Sequence, residues 1–310
     1  MLRYIGSRLL QALILIMGIT LTVFVILRLT SGDPAKIANP VFARQDVIQS
    51  YREMFGTDKP LLHQLWQFLQ GIPSGDLGIS FRYQQPVMEL IGERLPATLK
   101  LAAVSLVLAI TFAIVLGVLS ARYPRSPIAW FANVLSMLGQ SAPTFWVGLM
   151  LITLFSVHLG WFPASGDTGW KSIVLPAVTV ALATLPTQLR VLRASMREVL
   201  GQDYIGAARA FGVGEGRISF VYALRNAFLP LLTVIGVDMG YTLGGVIVTE
   251  TVFNYPGIGQ LALTALDSRD YPLIQGITIV TAGIFVLVNL AVDLLYGLVD
   301  PRIRLAERAA

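Results

Sequence analysis

The stretch ATLKLAAVSLVLAITFAIVLGVLSA, residues 97–121, contains a single charge, Lys100, near its start. An α-helix rises about 1.5 Å per residue, and a bilayer's hydrocarbon core is about 30 Å thick, so about 20 apolar residues span it. A helix that is apolar all round has no face to offer water. This stretch therefore needs lipid or protein on every side. Outward from it lie five further apolar segments: Leu9–Leu29, Ile128–Leu159, Ile173–Ser195, Phe228–Thr249 and Gln275–Val299. Together they predict an all-α integral membrane protein of about six transmembrane helices.

The composition agrees. Of 310 residues, 55% are apolar and 13% charged, against about 25% charged in an ordinary soluble domain. The absence of cysteine excludes disulfides, thiol catalysis and cysteine-held metals. His63 and His158 are the only histidines and lie far apart, so no metal site is expected. The net charge is +5, but the basic residues fall in short clusters between apolar spans. There they meet headgroups of the lipid bilayer, which argues against nucleic acid as a partner.

The third segment is longer than one crossing and is interrupted at Gln140-Ser141-Ala142-Pro143, predicting a tilted or kinked helix. The fourth contains Pro176 and Pro186 and is expected to be the least regular. The first exceeds a signal peptide's apolar core, and no small-x-small site follows Leu29, so it is read as a retained span.

Orientation follows from the short loops. Arg3 and Arg8, Arg122 and Arg125, Arg190 to Arg225, and Arg302, Arg304 and Arg308 fall on one side. The short loops opposite hold only Lys171 and Arg269. Both termini are therefore expected in the cytoplasm. On that reading residues 1–30 form the N-terminus and first helix, and residues 31–96 an external, periplasmic segment. Residues 97–310 form the transmembrane core. In the external segment Val47–Phe55 and Leu61–Leu69 have helical apolar spacing, and residues 71–75 read as a turn. This segment is either a folded cap over the bundle or a docking surface.

The cytoplasmic loop of residues 196–228 reads MREVLGQDYIGAARAFGVGEGRISFVYALRNAF. Asp203 suits an N-cap, Tyr204 to Ala210 a short helix, and Gly212 and Gly214 its end. A second helical run from Arg217 to Asn226 leads to Pro230, which suits the first turn of the fifth span. The small residues on the short helix allow close approach by another protein. From composition alone an ordinary interfacial helix is the preferred reading.

At these residues the chain resembles the membrane subunits of bacterial binding-protein-dependent ABC importers. Their loop signature is Glu-Ala-Ala, three residues, then Gly. Here Gly206, Ala207, Ala208 and Gly212 occupy those positions, so the glutamate is absent. The segment Asp203 to Gly212 and the run at 223–227 are similar to the dipeptide, oligopeptide, nickel and glutathione branch. So are Gly32-Asp33-Pro34, Asp58-Lys59-Pro60, the runs at 75–80, 94–99 and 250–259, Arg269-Asp270-Tyr271-Pro272, and the runs at 289–293 and 300–304.

The resemblance implies a type I ABC importer-like fold. It implies a channel-forming permease subunit for peptides or peptide-like solutes, with nickel chelates or glutathione as alternative cargo. It also implies a second homologous permease, two ATPase subunits that bind ATP and Mg, and a periplasmic or extracellular solute-binding protein. The chain would sit in the bacterial inner membrane and perform no chemistry. Asp203, Tyr204, Gly206, Ala207, Ala208, Arg209 and Gly212 would contact the ATPases. Read directly, Gly212 to Gly216 has glycines but no Gly-Lys-Ser/Thr to hold phosphates, so no nucleotide or other cofactor is expected in this chain.

Asp238, in the middle of the fifth span, is costly at that depth. It either faces the translocation path, attracting a cationic or amino-bearing solute, or is a paired helix-packing residue. Gln140 and Ser141 either line the path or satisfy backbone freed by Pro143. Asp293, nearer the cytoplasmic end, reads as paired, and Gly240, Gly244 and Gly245 as packing positions. An ion-coupled secondary transporter would favour two related halves with matching broken helices, and no such repeat is visible. An intramembrane aspartyl enzyme would need two carboxylates at one depth, which Asp238 and Asp293 do not provide.

Overall fold

The computed structural model describes residues 2–29, 45, 49–50, 52–53, 56 and 58–299. Its principal helices are α1 (Leu2–Leu29), α2 (Leu61–Gly71), α3 (Val87–Arg122), α4 (Pro127–Ser141), α5 (Thr144–Leu151), α6 (Val174–Leu200), α7 (Asp203–Ala210), α8 (Leu224–Val252), α9 (Ile258–Asp267) and α10 (Tyr271–Val299). Among the described residues the one extended pairing is an isolated bridge between Ile79 and Pro86. The chain divides into two compact units, Met1–Thr98 with Pro256–Leu287, and Leu99–Tyr255 with Val288–Ala310.

In the first unit, Val87, Ile91, Ile258, Leu261, Leu273 and Ile277 form a buried apolar cluster. Gly276 permits it: a Cβ there would lie 2.4 Å from Val87 Cγ1, so any side chain would force α3 and α10 apart. Asp270, fully buried, caps α10 by accepting from the Leu273 N–H at 3.3 Å. It also accepts from Ser80 Oγ at 2.5 Å and the Arg82 N–H at 3.1 Å, fastening the loop before α3. Thr98 Oγ1 accepts from the Ile258 N–H at 2.8 Å at the start of α9. The expected helix at Leu61–Leu69 is α2, and the turn after it contains Gly75 with φ +75. The helix expected at Val47–Phe55 falls mostly outside the described residues, as do the Gly32-Asp33-Pro34 and 300–304 runs.

In the second unit α6 is the central element, with Leu185, Leu189, Leu192 and Met196 buried. It is an unbroken helix of 27 residues, contrary to the expected irregularity. Pro176 falls in its first turn, where no intrahelical donor is required. Pro186 lies inside and deprives the Leu182 carbonyl of its partner. Gly139 of α4 covers that spot, so closely that a Cβ would lie 2.6 Å from Pro186 Cγ and 2.9 Å from the Leu182 oxygen. A glycine on a neighbouring helix lets the proline stay.

The third expected span is not one kinked helix. Ala142, just before Pro143, is extended (φ −87, ψ 128), as the proline ring demands of the preceding residue. The segments Pro127–Ser141 and Thr144–His158 are bent by 116°, a full break, with π turns over Ile152–His158. The fifth span also starts earlier than expected. Glu215–Arg217 forms a helical turn, Ile218–Ala223 continues as π turns, and α8 follows without interruption. Pro230 is therefore interior to α8, not in its first turn.

Among the described residues four helical stretches are long and apolar enough to cross a membrane: Val87–Arg122, Val174–Leu200, Glu215–Gly240 and Tyr271–Ala291. Counting the bent pair as one span gives five. The apolar part of α1, Leu13–Leu29, is shorter. All six segments read from the sequence thus fall on helices. Asp293 lies in α10, but its side chain and the packing around Gly244 and Gly245 lie outside the described residues.

Candidate functional site

The short helix α7 has one fully buried side chain, and Ala208 packs beside it. Ile205 is fully buried in a cluster with Val118, Leu192, Met196, Val199 and Ile218, whereas Asp203, Tyr204, Gly206, Ala207, Arg209 and Ala210 are exposed and Ala208 is half-buried. Fully burying such a side chain is worth about 1.5–3 kcal/mol. Two polar links brace the element: Arg209 Nε donates to Glu215 Oε1 at 2.8 Å, and Asn226 Nδ2 donates to the Tyr204 hydroxyl at 2.7 Å.

The N-cap is Gln202 rather than Asp203. Asp203 instead occupies the first turn, where its negative charge still complements the helix dipole. At the other end Gly212 has φ +76. Its N–H donates to the Arg209 carbonyl at 2.9 Å, and the Val213 N–H to the Ala208 carbonyl at 3.1 Å. This paired closure requires a left-handed residue, for which glycine is the least strained choice. Just before it, Phe211 is 88% exposed. The result is a short, capped helix with small residues and one bare aromatic ring facing outward.

The polar residues predicted within the spans fall into separate pairs. Asp238 of α8 accepts from Gln188 Nε2 of α6 at 2.8 Å, and Gln188 is fully buried with its Oε1 lacking a partner. Gln140 accepts from Arg190 Nη1 at 3.3 Å. Ser141 Oγ donates to the Met137 carbonyl of its own helix at 3.0 Å. Arg193 Nη1 donates to Asn133 Oδ1.

Sequence reasoning did not single out Gln188, the one signal for it being a carboxamide within an apolar helix. It counted Arg190 and Arg193 for orientation only, and it missed Ile205 because one buried residue makes no periodic pattern. At the far end of α8, Tyr255 is fully buried, and burial with the Asp167 and Glu250 carboxylates nearby pushes its phenol up to about 12.

Residues 113–305 match the family model described as binding-protein-dependent transport system inner membrane component, and residues 1–102 match the model for the N-terminal part of such membrane components. The chain is similar to the glutathione transport system permease protein GsiC of Escherichia coli K12, 37% identical over 304 residues that cover 98% of this chain and 99% of that one. The protein of the same name from Pectobacterium atrosepticum is 39% identical with the same coverage. Among solved structures, a chain of the methionine ABC transporter MetNI in an inward-facing conformation matches with TM-score 0.56 at 18% identity, covering 69% of this chain and 97% of that chain. That last likeness is one of fold.

Proposed function

The chain belongs to the family of binding-protein-dependent transport system inner membrane components, and on that premise we propose a peptide-sized cargo and a specific coupling element for it. It is a multi-pass permease subunit of an ABC importer. Its cargo in this reading is a peptide or a peptide-like compound such as glutathione, supported by the names of relatives at 37% and 39% identity. The proposed assembly pairs it with a second homologous permease and two ATPase subunits, and a binding protein delivers solute from outside. Both termini lie in the cytoplasm, in keeping with the basic loops on that side.

The observation that carries the mechanism is α7 itself, capped by Gly212, with Ile205 as its one fully buried side chain, and exposed over Gly206, Ala207, Arg209 and Phe211. Its exposed small residues let an ATPase approach closely, and its root lies in the cluster that includes Leu192 and Met196 of α6 and Leu231 and Ile235 of α8. Displacement of α7 by closing ATPases is thereby passed to two spans. Nucleotide and magnesium belong to those partners. Within the spans Asp238 faces the solute path, with Gln188 holding its carboxylate in place. Gln140 and Ser141 contribute at the break between α4 and α5.

Co-purification of the tagged chain in mild detergent, followed by transport in proteoliposomes, tests the reading. Recovery of a second permease, ATPase subunits and a binding protein, with ATP-dependent uptake of glutathione or dipeptides, is the expected result. Activity of the chain alone with an ion gradient and no ATP would refute it.

A further inference from the structure

We propose that α2 is a membrane-surface helix whose bare apolar arc, centred on Leu62 and Trp66, lies in the outer leaflet of the bilayer beside the end of α1. The proposal rests on the orientation given above only for the choice of leaflet.

Three arcs divide α2. At about 100° per residue, Leu61, Leu62, Leu65, Trp66 and Leu69 fall together, with His63, Gln67 and Gln70 beside them. Gln64, Phe68 and Gly71 make up the third arc, which is the one held to the protein. Gln64 Oε1 accepts from Arg28 Nε of α1 at 3.0 Å, and the Gly71 carbonyl accepts from the Asp76 N–H at 3.0 Å. A Cβ on Gly71 would lie 2.2 Å from the Asp76 oxygen, so that side is closed. The apolar arc is left bare: Leu62 is 80% exposed, Trp66 62% and Leu61 58%.

No residue of this 11-residue helix is fully buried. Helices shorter than about 12 residues are marginal in water, and most helical stability comes from covering an apolar face. Protein covers little of this face, so another medium must. The neighbouring element identifies it. Arg28 belongs to the last turn of α1, where Val25, Ile26 and Leu29 are exposed as well. With α1 as the first span, those side chains meet lipid, and the bond from Arg28 to Gln64 sets α2 at the end of the same span. Leucine and tryptophan on one arc with polar groups on the next is the arrangement of an interfacial helix, and tryptophan favours the headgroup level. The helix carries no Asp, Glu, Lys or Arg to direct a charged protein partner to it. Apolar area supplies the attachment.

The chain contains no cysteine, so single labelling sites can be introduced without background. A nitroxide is attached to Leu62→Cys, Trp66→Cys, His63→Cys and Gln70→Cys in the full chain, reconstituted in phosphatidylcholine nanodiscs. All four side chains are exposed, so none of these changes disturbs the core. Collision with oxygen, which concentrates in lipid, is compared with collision with a water-soluble nickel chelate. Labels at positions 62 and 66 should report a depth of about 5–10 Å into the boundary between headgroups and acyl chains. Labels at positions 63 and 70 should report water.

Nickel access at 62 and 66 equal to that at 63 and 70 overturns the proposal, because the arc then faces water. Shielding of 62 and 66 from both reagents also overturns it and assigns the arc to a protein contact, such as a second copy of the chain. Nanodiscs leave both faces of the bilayer open, so these depths do not depend on which side α2 occupies. A membrane-impermeant thiol reagent added to intact spheroplasts reads the side. Reaction of Gln70→Cys from outside is expected. Reaction only after lysis would overturn the outer placement and the orientation with it, while the lipid contact stands. Neither readout measures transport, so the importer reading stands or falls separately.

Discussion

Ile205→Ala is expected to release α7 while leaving the spans intact. Ile205 is the one fully buried residue of that helix, so its truncation removes most of the element's apolar anchor and leaves the small contact of Ala208. Trimming a buried isoleucine to alanine costs about 2–5 kcal/mol. At the lower limit that is roughly a 30-fold shift in the local opening equilibrium. The remaining braces, Arg209–Glu215 and Asn226–Tyr204, are exposed, and an exposed ion pair contributes only about 0–1 kcal/mol. They cannot make up the difference.

The assay is amide hydrogen exchange on the full chain in nanodiscs, following residues 205–213. Exchange there should accelerate at least about 30-fold in Ile205→Ala and by about 2- to 12-fold in Ile205→Val, which costs about 0.5–1.5 kcal/mol. Peptides from α6 and α10 should not change. The graded pair guards against misreading a general loss of stability. Unchanged exchange over 205–213 in both variants would show that the element is held by something other than its buried isoleucine. Equal acceleration throughout the chain would show that it is not a separable element.

Further outcomes follow from other positions. Gly212→Ala places a Cβ on a residue with φ +76 and should destabilise the end of α7 by about 1–2 kcal/mol, read as faster exchange at Val213. Gly276→Val drives a side chain into Val87, whose Cγ1 would lie 2.4 Å from the new Cβ, and should cost about 1–3 kcal/mol, lowering the melting temperature. Asp238→Asn should reduce ATP-dependent uptake of cationic solutes more than neutral ones, and equal uptake of both would remove Asp238 from the path. The raised Tyr255 phenol, at about 12 when folded, contributes stability that is present below the ordinary tyrosine pKa of about 10 and is lost as pH climbs from there through 12. Denaturation curves at rising pH should show this loss, and Tyr255→Phe should diminish it.

The helical class and the positions of the apolar segments were legible because a bilayer imposes length and polarity on each segment separately. What was not legible depended on neighbours. Nothing local to Pro186 reveals that Gly139, on another helix, covers the carbonyl it frees, so α6 read as irregular when it is continuous. Pro143 did signal a break, but local sequence carries no angle, and a bend of 116° was read as a kink. Pro230 suggested a helix start, whereas the π turns upstream carry the helix through it. For the site, the loop's small residues and Gly212 were visible as composition and turn chemistry. Ile205 and Gln188 were not, because each acts through a partner distant in sequence.

The π turns over Ile218–Ala223 have a consequence for length variation. A π turn is in effect an α-helix that has absorbed one extra residue. Removing a single residue there would let the wider turn relax to ordinary pitch while the segments on either side keep the faces they present. Elsewhere in α8 the same deletion would rotate everything beyond it by about 100°, one residue's share of a 3.6-residue turn. The root of the fifth span is therefore a place where this chain can be shortened by one residue without losing register.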